Sequence, residues 1–150
     1  MAKTKPLRVG KVSIGGKRAA FILGPCVIES EKFVWRMARK IAEVCASEEV
    51  DFIFKASYDK ANRTSVRSFR GTSVREGCDV LAAIGRELKI PVTTDVHSTA
   101  EAEIAGKKID MCRVRTTGRS CASLNGEAVD CLRRSRSICM MQIGNCGYSS

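Results

Sequence analysis

Along the first 110 residues, short apolar runs alternate with stretches in which apolar positions recur at helical spacing. Positions 7–14 alternate, Gly15-Gly16 is a two-residue turn signal, and 17–23 follow, which predicts a hairpin near the start. Its second arm runs into Ala19-Ala20-Phe21-Ile22-Leu23, stopped by Gly24-Pro25. Ser30 is a candidate N-cap with Glu31 in the first turn, and Phe33, Met37, Ile41 and Val44 continue at helical spacing to about Ala46. Val50-Asp51-Phe52-Ile53-Phe54-Lys55 reads as a buried strand. Residues 74–88 read as a second helix with Val80, Leu81, Ile84 and Leu88 on one face. Ile90-Pro91-Val92-Thr93-Thr94 reads as a third strand, 99–105 as a short helix, and Lys108-Ile109-Asp110 as the start of a fourth strand.

Strand and helix in strict alternation is the pattern of an α/β fold with a parallel sheet built from crossovers. Strands of that kind bury both faces and read as unbroken apolar runs, as these do. Polar chemistry begins where each strand ends: Cys26 after the first, 55–63 after the second, Asp95 and His97 after the third. Active sites of α/β barrels and open α/β sheets are assembled at those carboxyl ends. No G-x-G-x-x-G or Walker glycine loop is present, so a barrel is preferred to a nucleotide-binding open sheet.

Composition adds a division. The 150 residues suit one domain, and 44% hydrophobic with 28% charged residues is globular composition rather than disorder. The net charge of +10 is carried by two unlike segments. Residues 1–110 hold 11 Lys, 9 Arg and 14 acids, whereas 111–150 hold 6 Arg, no Lys, 2 acids and five of the eight cysteines. The second segment lacks sustained periodicity, only 126–134 suggesting a short helix, and is expected to be irregular. No two cysteines are spaced C-x-x-C and no secretory leader is apparent, so reduced thiols are expected, with Cys45 and Cys78 as buried core residues. No apolar run approaches the roughly 18 residues a membrane span requires.

The most informative stretch is 55–65, which places Lys55, Lys60, Asn62, Arg63 and several hydroxyls in a strand-end loop, with Arg67 and Arg70 beyond. Lysine as a point charge and arginine as a planar fork are the side chains that hold phosphate and carboxylate. The loop suits a small, multiply anionic substrate; a solvated basic loop is the alternative on composition alone. Nucleic-acid binding ranks lower, because aromatics are only 5% and no stacking platform stands out.

Leu23-Gly24-Pro25-Cys26-Val27-Ile28-Glu29-Ser30, the block from Phe54-Lys55-Ala56-Ser57 through Asn62-Arg63-Thr64-Ser65, Ser68-Phe69-Arg70-Gly71 and Thr94-Asp95-Val96-His97 closely resemble the 3-deoxy-D-manno-octulosonate 8-phosphate synthase family. The resemblance runs in order from about residue 7 to Asp110, and the 55–65 block is its most specific part. It implies a (β/α)8 barrel that condenses phosphoenolpyruvate with D-arabinose 5-phosphate, in a cytoplasmic homotetramer. The product would lead to the sugar acid of lipopolysaccharide or of a plant wall pectin. Carried over, Lys55 and Lys60 face the phosphoenolpyruvate carboxylate and phosphate, while Asn62, Arg63 and Thr64 grip the arabinose phosphate, partly across a subunit boundary. Asp95 and His97 border the sugar and the reacting carbons as the catalytic residues; for His97, the sole histidine, a purely structural role is the alternative. Cys26 matches members that use a divalent metal, where metal-free members carry Asn. A thiolate suits zinc or ferrous iron, with manganese and cobalt also implied by resemblance; an inert thiol is the alternative. The implied partners are small phosphorylated substrates, neither nucleic acid nor membrane.

Departures from the family pattern are equally definite. A complete barrel takes about 250 residues. The Leu-Gln-Ile-Pro-Ala-Phe-type strand end expected after Asp110 is absent, as are the later site residues, and no histidine follows His97 to complete a metal site. Thr72-Ser73 replaces the usual Pro-Gly, and Ser98 stands where Glu is common. The chain therefore divides into 1–110, a partial barrel comprising the hairpin and the first three to four βα units, and 111–150, an unmatched Arg/Cys/Ser-rich tail. The abrupt change in composition there reads as a shifted reading frame or a mis-spliced exon. Half a barrel exposes strand edges, so the chain alone is expected to lack synthase activity. A non-catalytic anion- or nucleic-acid-binding protein, and a heptulosonate-phosphate synthase using erythrose 4-phosphate, are the alternatives; Asn62-Arg63 favours the five-carbon sugar by resemblance.

Overall fold

The computed structural model describes residues 6–59, 72–115 and 138–142. Strands β1 (Leu7–Val9) and β2 (Val12–Ile14) form an antiparallel hairpin; β3 (Ala20–Leu23), α1 (Glu31–Ser47), β4 (Asp51–Lys55), α2 (Val74–Leu88), β5 (Val92–Val96), α3 (Thr99–Gly106), β6 (Met111–Arg115) and β7 (Ile138–Gln142) follow. The last five strands make one parallel sheet in sequential order, β3-β4-β5-β6-β7. Sequential parallel strands linked by helices are the repeating unit of the expected barrel, here present in part.

The hairpin exists but turns earlier than expected. Gly10, at a φ of 55°, and Lys11 make the turn between Val9 and Val12, inside the alternating run, and Gly15-Gly16 instead leads into β3. A glycine that adopts positive φ without cost makes the earlier two-residue turn available.

Alternation within each strand sorts two cores. On one face Phe52, Phe54, Val92, Val96 and Cys112 pack under the three helices, which contribute Val34, Ala38, Cys45, Cys78, Leu81, Ile84, Ala102 and Ala105. On the other, Ile53 and Met111 are sealed by Val9 and Val12 of the hairpin. Cys45 and Cys78 are buried, as expected of small apolar thiols. Helix α1 starts at its Ser30 cap, whose Oγ accepts the Phe33 N–H at 3.2 Å. Its buried stripe is rotated one position from the predicted one, running through Val34, Ala38 and Cys45, while Val44 is 55% exposed. Helix α2 spans the predicted residues and opens with a reciprocal capping box between Ser73 and Glu76.

Two strand starts move towards the carboxyl end of the chain relative to the sequence expectation. Pro91 has no N–H to give a ladder, so β5 begins at Val92 while the Pro91 carbonyl accepts from Phe54. Asp110 is not yet strand: its carboxylate accepts the Val92 N–H at 3.0 Å, and pairing with β5 begins at Met111. Within 111–150, expected to be irregular, the described residues are two strands, β6 and β7. The backbone ladder offered by β5 sets them, and five-residue stretches carry too little pattern of their own to announce it. The helix expected over 126–134 lies outside the described residues. Among the described residues, no helix is long and apolar enough to cross a membrane.

Candidate functional site

At the carboxyl ends of the strands the hairpin no longer covers the inner face, and the side chains on that face change from apolar to charged. Lys55 follows Ile53 by two on β4, Asp95 follows Thr93 by two on β5, and Arg113 follows Met111 by two on β6. The register pairs Lys55 with Thr93 and Asp95 with Arg113, so all three charged residues share the inner face. Lys55 Nζ stands 3.1 Å from Asp95 Oδ2. The Arg113 fork donates to both carboxylate oxygens, from Nε to Oδ1 at 2.6 Å and from Nη2 to Oδ2 at 3.1 Å.

Asp95 is the buried centre of this cluster, its side chain 2% exposed against 16% for Lys55 and 25% for Arg113. Burial by itself pushes the carboxyl pKa up, but the Arg113 hydrogen bonds and the Lys55 charge outweigh it and hold the group below its ordinary value. An ionised carboxylate so placed fixes two cations, Lys55 and Arg113, on the inner face at the strand ends. Beside them Thr93 is 1% exposed, and its Oγ1 has no hydrogen-bond partner among the described residues.

The neighbouring loops are built to meet this end of the sheet. Gly24 closes β3 at a φ of 149°, and a Cβ there would lie 2.0 Å from the Lys55 carbonyl oxygen. Only glycine lets the two strand ends approach so closely. Past Pro25, Val27 bridges to Ser57 and the Ile28 N–H donates to the Ser57 carbonyl at 2.9 Å, so the first loop runs alongside the second. Cys26 lies in that first loop and is exposed. No group of three or more His, Cys, Asp or Glu side chains among the described residues is placed to hold a metal ion.

His97 follows β5 by one residue, its ring edge-on to Tyr58 with centroids 6.4 Å apart. Its backbone N–H donates to Glu101 Oε2 at 2.7 Å, and its buried Nε2 has no partner among the described residues. The Tyr58 hydroxyl likewise lacks a partner of ordinary geometry; burial first, then the nearby Glu101 carboxylate, raise its pKa. Ser98 caps α3 by accepting the Glu101 N–H at 3.3 Å. Lys60, Asn62, Arg63 and Thr64 lie outside the described residues.

Of the residues singled out in the sequence, the structure thus brings together Lys55 and Asp95, with His97 just past the same strand and Cys26 in the adjoining loop. Arg113 was missed, although an arginine beside the buried Met111 and Cys112 is itself a signal. A cavity of about 640 Å³ lies at the opposite, amino end of the strands, lined in part by Gly10, Lys11, Pro91 and Asp110. It is remote from the Lys55–Asp95–Arg113 cluster, and strand amino ends in this architecture serve stability rather than chemistry.

Comparison with known proteins agrees with this layout. The 2-dehydro-3-deoxyphosphooctonate aldolase of Koribacter versatilis (strain Ellin345) is 48% identical over 110 residues, covering 73% of this chain and 40% of the relative. The protein of the same name from Citrifermentans bemidjiense is 44% identical over 112 residues, covering 74% and 41%. That from Cyanothece sp. (strain PCC 7425 / ATCC 29141) is 43% identical over 104 residues, covering 69% and 38%. The chain thus spans about two fifths of the length of the curated relatives it matches. The model of the DAHP synthetase I family matches residues 2–123, a stretch that takes in Lys55, Asp95 and Arg113 alike. With the barrel-type strand order and a charged cluster at the strand ends, that match makes the chain a member of the DAHP synthetase I family.

Proposed function

We propose that the chain represents the amino-terminal part of a synthase that condenses phosphoenolpyruvate with D-arabinose 5-phosphate, giving 3-deoxy-D-manno-octulosonate 8-phosphate and inorganic phosphate. The observation that carries this reading is the pairing of Lys55 with Asp95 on the inner face at the strand ends, in a chain whose relatives bear the octonate aldolase name. The matched family's description leaves the heptulosonate reaction with erythrose 4-phosphate as the second reading within the same chemistry.

In this reaction the methylene carbon of phosphoenolpyruvate forms a bond to the sugar aldehyde carbon, whose oxygen takes up a proton. Water adds to the neighbouring carbon of the enol, and the resulting phosphorylated hemiketal expels phosphate to leave the ketone. Two anionic substrates must be held side by side, which requires fixed cations and supplies much of the rate. Lys55 and Lys60 meet the carboxylate and phosphate of phosphoenolpyruvate, and Asn62, Arg63 and Thr64 hold the arabinose phosphate. Asp95 holds Lys55 in place through their ion pair, while His97 borders the sugar. In the full-length protein a divalent metal, with Cys26 as one ligand, and a homotetramer in the cytoplasm belong to the same reading.

Two results test it. Purified chain given both substrates is expected to release no octulosonate phosphate, since the remaining barrel strands and their site residues are needed for turnover. Calorimetric titration is expected to show phosphoenolpyruvate binding the chain more tightly than a short oligonucleotide at equal ionic strength. Product release would overturn the expectation of inactivity, and tighter oligonucleotide binding would favour a basic nucleic-acid-binding protein instead.

A further inference from the structure

The resemblance by motif stops at Asp110, yet a side chain that donates to both oxygens of Asp95 comes from beyond it. Arg113 spends one N–H from Nε and one from Nη2 on the carboxylate, and a guanidinium carries five. Lys55 spends one of three on the same oxygen that Nη2 reaches. Lys55 Nζ and Arg113 Nη2 each lie 3.1 Å from Asp95 Oδ2, so they stand no further apart than twice that distance. That gap suits one carboxylate or phosphate group bridging both. Among the described residues, two cations meet one carboxylate here, a surplus of one positive charge, and both cations are partly exposed, at 16% and 25%. Thr93 independently points to a ligand: its hydroxyl is buried on the same face, opposite Lys55, with no partner among the described residues. Buried hydroxyls left unpaired by protein are ordinarily met by water or ligand oxygen.

We infer that Arg113 is an anion-binding and specificity-determining residue of this chain, forming with Lys55 a clamp for one carboxylate or phosphate group above Asp95. Asp95 then serves as the pinned counter-ion of the clamp rather than as a proton donor. The inference rests on the synthase reading for the identity of the ligand, but not for the existence of the clamp.

The test is calorimetric titration of inorganic phosphate and of phosphoenolpyruvate into the full chain and its variants. R113Q is expected to weaken both by about tenfold or more, the scale of losing a hydrogen bond to a charged group. R113K restores charge without the fork and is expected to recover part of that loss. R39Q, altering an exposed arginine on α1, is expected to bind like the parent. In the parent, the Arg113 Nε–H resonance, assigned by its absence in R113K, is expected to shift on addition of phosphate. A role in packing alone would not move it, and this readout holds even should R113Q fail to fold. Phosphoenolpyruvate binding undiminished in R113Q, an unmoved Arg113 resonance in the liganded chain, or no anion binding by the parent would each overturn the inference. Phosphate and phosphoenolpyruvate binding equally, both dependent on Arg113, would uphold the clamp while removing support for phosphoenolpyruvate as its ligand.

Discussion

Gly24→Ala is expected to destabilise the chain by at least about 3 kcal/mol, the range of severe backbone and overpacking effects. The added Cβ would meet the Lys55 carbonyl oxygen at 2.0 Å, and backbone rather than a flexible side chain would have to yield. The φ of 149° is a second cost, because that region is close to glycine-only. Gly15→Ala provides the comparison: its φ is also positive, at 77°, but nothing lies within 4 Å of the new Cβ. Urea denaturation should therefore place Gly24→Ala well below Gly15→Ala in midpoint. Equal midpoints would show that β3 and β4 do not approach as described, and Lys55 would lose its fixed position.

Asp95→Asn is expected to cost about 3 kcal/mol, at the low end for breaking a buried ion pair because Lys55 and Arg113 keep some exposure to water. The amide leaves Lys55 and Arg113 facing one another without the carboxylate that pairs them. The same substitution should change the pH dependence. Asp95 has a folded pKa below its ordinary value, so its contribution is fully present above the unfolded carboxylate pKa of about 3.9 and fades as pH falls through the lower folded value. Stability of the parent is thus expected to decline on acidification from about pH 4 downward, with a shallower decline in Asp95→Asn. Parallel acid limbs for the two proteins would show that Asp95 is not held ionised by its neighbours.

Most of the architecture was legible because local signals and tertiary contacts agree. Helix α2 occupies the predicted residues since Ser73, Glu76 and the stripe through Leu81 and Ile84 all require the same span. The strand ends carrying Lys55 and Asp95 were legible from apolar runs that stop at charge. Where the sequence misled, the deciding interaction was non-local or a matter of one residue. The hairpin turns at Gly10 rather than Gly15-Gly16, and the α1 stripe rotates because the sheet above it, not the helix itself, selects Val34 over Phe33. Strands β6 and β7 exist through pairing with β5 and with each other, which no pattern within five residues reveals. Arg113 went unrecognised for a related reason: its importance comes from standing opposite Asp95, a fact of register rather than of motif.

Lys55→Gln removes one arm of the charged cluster while keeping side-chain length, and titration of phosphoenolpyruvate into this variant tests most directly whether the strand ends form an anion site. Affinity is expected to fall about tenfold or more from loss of a charge-assisted hydrogen bond, with a smaller loss of stability than in Asp95→Asn because Arg113 still pairs with the carboxylate. Unaltered affinity in a folded Lys55→Gln chain would mean that small anions bind elsewhere, and that the cluster of Lys55, Asp95 and Arg113 only braces the sheet.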